Sequence, residues 1–137
     1  MIRTEVCKMI YVKVNDALYV ATIGGMESDR TWDNRRTKSI TLSGDFATID
    51  AMFVDGMEWS IVCEDSVPVR KEDGTLVLDE NGEITYEIQT TEFDNSDYNM
   101  RGDLTVHSDG TCTVKMGQKT EMEIITESYA ILMGDMA

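Results

Sequence analysis

The chain has 137 residues, 42% of them hydrophobic, which suits one domain able to bury roughly two-thirds of the surface its unfolded form exposes. Its 12 Lys and Arg stand against 26 Asp and Glu, a formal charge of −14. A nucleic-acid binder needs cations to displace phosphate counterions, and an anionic membrane surface repels so acidic a chain; direct contact with either is not expected.

The first residues carry Arg3, Glu5 and Lys8 with no apolar core, so no secretory signal is expected. Thr22, Gly24 and Gly25 interrupt the longest weakly polar run, Ala17 to Met26, which falls far short of the roughly 20 residues of a membrane span. Three cysteines cannot all pair within one chain, and reduced thiols in a cytoplasm are the simplest expectation.

From Ile2 to Val14 the residues Ile2, Val6, Ile10, Val12 and Val14 share one parity, the mark of a strand with one buried face. Asn15-Asp16 turns the chain, and Ala17 to Ile23 returns as a second strand. Thr37 to Leu42 is a third, with Ile40 and Leu42 on one face. A helix is expected around residues 45–55, where Phe46, Ile49 and Phe53 form a stripe, Ser43 or Asp45 can cap and Gly56 can terminate.

Met57, Trp59, Ile61 and Cys63 then alternate with Glu58, Ser60, Val62 and Glu64, predicting a half-buried strand. The lone Pro68 suits an edge strand or a strand start. Thr75 to Phe93 reads as a hairpin around Glu80-Asn81-Gly82, pairing Leu78 with Ile84 and Leu76 with Tyr86. Leu104 to Met116 reads as another, turning at Ser108-Asp109-Gly110 and pairing Val106 with Cys112 and Leu104 with Val114. A second helix, residues 120–133, opens on a Thr120–Glu123 capping box and carries the stripe Met122, Ile125, Tyr129, Leu132. The expected fold is a single α+β domain, residues 1–137, with a mainly antiparallel sheet of about six to eight short strands and two helices.

Catalysis has little to stand on. The single histidine, His107, sits beside a hairpin turn, where a solvated strand residue is the ordinary reading, and no phosphate loop follows Gly24-Gly25. Cys7, Cys63, Cys112 and His107 could make up a Cys₃His zinc set, yet none of the paired-cysteine knuckles of structural zinc occurs, and buried small cysteines are the alternative. Asp79 to Glu83 lacks the spacing of a calcium loop, and Arg101-Gly102-Asp103 has no adhesion partner in a cytoplasm. The methionines are read as fillers of core gaps. No enzyme activity, metal or cofactor is expected.

Charge is the remaining signal. Between Glu64 and Asp103 twelve acids face only Arg70, Lys71 and Arg101, while Arg30, Arg35, Arg36 and Lys38 cluster around Trp32 upstream. Glu72, Asp73, Asp79, Glu80, Glu83, Glu87, Glu92, Asp94 and Asp97 are the candidate binding residues. They form either a solvated face that keeps the protein soluble or a surface that imitates nucleic-acid phosphates.

Three stretches resemble known sequences: Trp32 to Lys38 leading into Ile40-Thr41-Leu42, then Phe53 to Ile61, and Gly102 to Gly117. Together they resemble small uncharacterised proteins of Firmicutes phages and prophages, over most of the chain. Some small acidic phage proteins of this kind are anti-CRISPR or other anti-defence inhibitors. The resemblance therefore implies an anti-defence protein that binds a host nuclease, with a Cas9-type effector as the expected partner, in the host bacterial cytoplasm. Such effectors hold nucleic acid in positively charged channels that carboxylates could fill. A phage head or tail assembly protein and a small zinc protein are the competing readings.

Overall fold

The computed structural model describes residues 9–134. Among them seven strands form one antiparallel sheet: β1 (Met9–Val14), β2 (Ala17–Asp29), β3 (Arg35–Ser43), β4 (Ser60–Pro68), β5 (Tyr86–Asp94), β6 (Met100–Val106) and β7 (Thr111–Gly117). Their order across the sheet is β5-β4-β1-β2-β3-β7-β6. Two helices, α1 (Phe46–Met52) and α2 (Glu121–Gly134), complete an α+β fold built mainly of sheet, as the alternating pattern implies.

Turn chemistry sets the register. Asn15 and Asp16 both adopt left-handed backbone angles, φ 52° and 66°, the conformation a two-residue hairpin turn needs, and so place Val14 opposite Ala17. The Ser108-Asp109-Gly110 loop, with Gly110 at φ 88°, pairs Val106 with Cys112 and Leu104 with Val114. Asp45 caps α1 by accepting from the Thr48 amide at 2.8 Å.

One face of the sheet carries the core. Val12, Val14, Ala21, Ile40, Leu42, Cys112, Val114 and Met116 pack with Ile49 and Phe53 of the α1 segment and with Trp59. Phe53 and Trp59 meet edge to face, with ring centroids 6.4 Å apart. The opposite face bears Leu18, Val20, Thr41 and Thr113, and at one end the short 3-10 helix Arg30–Trp32 sets Trp32 over Arg35 and Gly117.

Several expectations need correction. Ile2 and Val6 lie outside the described residues. The first helix ends at Met52, and Phe46 is exposed because the α1 stripe narrows to Ile49 and Phe53. Val62, expected on a polar face, is buried. Pro68 ends β4 instead of starting it, beyond the residues that β1 covers, where the missing N–H breaks no ladder. Leu76 pairs with Arg70 and Tyr86 with Pro68, because the segment between β4 and β5 folds into two turns where one hairpin is expected. Cys63 is disulfide-bonded, so three reduced thiols is not the observed state. The apolar stripe of α2 is exposed.

Candidate functional site

Beyond Pro68 and Tyr86 the chain forms an arm. Val69, Val77 and Thr85 close a ring of three backbone hydrogen bonds, each 3.0 Å long, from which two turns project. The first turn holds Glu72 and Asp73, and the second holds Asp79, Glu80 and Glu83.

The aspartates build these turns. Asp73 accepts from the Thr75 amide at 3.0 Å and hydroxyl at 2.6 Å, and Asp79 accepts from the amides of Asn81 at 2.8 Å and Glu83 at 3.0 Å. The Thr75 hydroxyl holds the Asp73 carboxyl below its ordinary range. Leu78 pairs with Ile84, which brings Asp79 opposite Glu83 as the hairpin register requires. Among the described residues none of the acids Glu72, Asp73, Asp79, Glu80, Glu83 and Glu87 forms an ion pair; the nearby Arg70 is spent on the Gly74 carbonyl at 2.8 Å.

The remaining members of the tract stand elsewhere. Glu92 and Asp94 share one face of β5, and Glu87 lies on the other. Glu92 is neutralised by Lys13 at 3.1 Å. With Asp94, Asp16 and Glu58 it lines an open cleft of about 830 Å³ beside Trp59. Asp94 accepts from the Ser96 hydroxyl at 2.5 Å, which lowers its pKa, and Asp97 accepts from the Gln118 amide at 2.5 Å. The nine acids therefore occupy an arm, a cleft and a loop, because the period of two and the two-turn arm separate what the sequence runs together.

Two members of the cation cluster, Arg35 and Lys38, turn inward. Arg35 is buried and donates to both carboxylate oxygens of Glu123, at 2.6 and 3.1 Å, and to the carbonyls of Trp32 and Gln118. Its guanidinium lies 4.6 Å from the centre of the Trp32 ring. Hydrogen bonds from Arg35 and from the Thr120 amide pull the Glu123 carboxyl down to about 2, and Glu123 in turn raises the pKa of Arg35. Beside this pair Lys115 meets the buried Asp29 at 2.7 Å and, with Thr31, holds that carboxyl far below its usual range. Lys38 donates to Asn95 and sits 4.6 Å from the centre of the Tyr98 ring; burial lowers its pKa although Asp97 is near. Arg30 and Arg36 remain exposed.

Glu123 is the residue that charge counting misses, since it lies outside the tract. Its signal is the capping box: Thr120 donates its amide to Glu123 at 2.8 Å and accepts the Glu123 amide at 3.2 Å.

Of the residues weighed for zinc, the described ones, Cys63, Cys112 and His107, are not brought together. His107 bonds the Thr113 hydroxyl at 2.7 Å, whereas Cys112 is free and buried on the core side. Three strands, β1, β2 and β3, separate Cys63 on β4 from Cys112 on β7, and Cys7 lies outside the described residues. Among the described residues no group of three His, Cys, Asp or Glu converges as a metal site would require. No described helix is long and apolar enough to cross a membrane.

Comparison of the chain with protein-family models, with curated proteins and with solved structures gave no match.

Proposed function

We propose that the chain works by binding, without turnover, as a phage-encoded anti-defence protein. Its acidic arm enters the basic nucleic-acid groove of a host nuclease, with a Cas9-type effector as the concrete partner. The observation that carries this reading is the arm itself: exposed carboxylates at two adjoining turns and the start of β5, none in an ion pair among the described residues. Unneutralised charge of one sign attracts a cationic groove over distances near a Debye length and competes there with phosphate. Glu92 and Asp97 play a smaller part, since Lys13 and Gln118 already engage them.

The test is titration of the protein against a purified Cas9-type effector, free of guide and DNA, across a salt series. Affinity is expected to fall steeply with salt, and target DNA should be displaced. No binding at low salt, or binding indifferent to salt, would overturn the reading.

A phage assembly subunit is the second reading. It is favoured by the exposed apolar side chains of α2 and by β5 and β6, which stand at the two ends of the strand order. The disulfide at Cys63 also suits a virion exterior better than a reducing cytoplasm. Light scattering on the purified chain separates the two: a closed ring of many copies supports assembly and counts against the inhibitor.

A further inference from the structure

Met122, Ile125, Tyr129 and Leu132 recur along α2 at steps of three and four residues, the spacing of a and d positions in paired helices. They are 70, 62, 62 and 61% exposed, so this seam has no partner among the described residues. The helix is nevertheless well started. The capping box closes its first turn, and Arg35 holds Glu123 against the sheet. By the helical period Glu123 lies on the side away from the seam, so the contact that fixes α2 also turns its apolar stripe outward.

We propose that this seam pairs with α2 of a second copy of the chain, in an antiparallel two-helix contact about a two-fold axis. This goes beyond the arm reading and does not depend on it. The face itself carries little charge to oppose a second copy, although the whole chain is strongly acidic. Of the three acids Glu121, Glu123 and Glu127, two are neutralised internally, Glu123 by Arg35 and Glu127 by Lys119 at 2.8 Å. Both lie away from the seam; of the flanking positions Thr126 and Ser128 are neutral, and Glu121 in the first turn is the one acid beside it. Antiparallel pairing also sets the two helix dipoles head to tail.

Area agrees. Four side chains exposed to this degree on each copy would bury on the order of 1,000 Å² in total, about the least a specific interface requires. The seam is two heptads long, too short to pair as free peptides, but each helix is anchored before the partner arrives. A lipid surface is the poorer occupant, because α2 carries no Lys or Arg to meet anionic headgroups.

Sedimentation equilibrium of the full chain from low to high micromolar concentration tests the proposal. The wild type should be a monomer–dimer system. Combining Ile125→Glu with Leu132→Glu should weaken the dimer by about tenfold or more. Ile131→Lys, on the flank away from the seam, should leave it unchanged. Tyr129→Arg serves as a milder seam variant, and circular dichroism must show the sheet intact in each. A wild type that stays monomeric throughout, or a dimer unaffected by the seam variants, overturns the proposal. So does binding to zwitterionic vesicles by a chain that never dimerises.

Discussion

Arg35 holds Glu123 through both carboxylate oxygens from a side chain only 2% exposed, joining the third strand to the last helix across 88 residues of sequence. Glu123→Ala leaves the buried guanidinium with only Asp33 as an ionic partner, at 3.3 Å, and removes one arm of the capping box. Loss of about 1–3 kcal/mol is expected, smaller than for a fully buried pair because Glu123 is partly solvated. Denaturant unfolding measures it. Hydrogen exchange should show the first-turn amides of α2 opening faster while the β3–β7 ladder keeps its protection. Uniform loss of protection would contradict a local anchor.

The same pair fixes a pH response. The Glu123 carboxyl titrates at about 2 when folded, against an ordinary value of 4.5. As pH falls, the unfolded chain therefore takes up this proton first. The stabilisation is complete above about 4.5 and is lost progressively towards 2. Asp29, held down by Lys115 and Thr31, adds a loss of the same sign. Melting temperatures across this window should fall less steeply for Glu123→Gln than for the wild type. Identical slopes would show that Glu123 has no part in it.

Gly117 and Gly102 make room for the Trp32–Arg35 stack. A Cβ on Gly117 would meet Arg35 Cδ at 2.7 Å and the Trp32 ring at 2.9 Å, and one on Gly102 would meet the ring at 2.7 Å. Gly117→Ala should cost about 1–3 kcal/mol through overpacking. Trp32→Leu should relieve part of that cost, giving a favourable coupling in a double-mutant cycle. Additive effects would place the strain elsewhere.

Neutralising the arm should separate folding from binding. Glu72, Glu80, Glu83 and Glu87 changed to Gln, with Asp79→Asn to keep an oxygen for the Asn81 and Glu83 amides, should leave the melting temperature nearly unchanged. Association with the basic effector should slow more than dissociation quickens, since distant charge acts on encounter. Stopped-flow binding measures both. An unaltered association rate with normal melting would reduce the arm to a solvated surface.

The fold was legible where local chemistry alone decides it. Left-handed Asn15-Asp16, the Gly110 loop and the Thr120–Glu123 box each act over a few residues, and each appears where the sequence places it. The candidate site was less legible. Clustered acids suggest one surface, but alternation along β5 sends Glu87 and Glu92 to opposite faces. Arg35 and Lys38 look like a basic patch in sequence and become internal partners of Glu123 and Asn95, a pairing that only long-range packing decides. The α2 stripe has the period of a buried helix, and period does not say which surface will cover it.

Strand order carries a consequence for how the molecule assembles. β1, β2 and β3 follow one another in sequence and in space, a local meander that can zip quickly. Both of its outer edges then wait: β1 for β4, and β3 for β7, whose Thr113 meets Thr41 across 72 residues. Loop closure, and not strand propensity, should therefore limit refolding, to a timescale on the order of milliseconds to seconds. On the ribosome the newborn meander shows two open ladders until later segments emerge. Sticking between nascent chains is a hazard of that interval, and the charge of −14 opposes it.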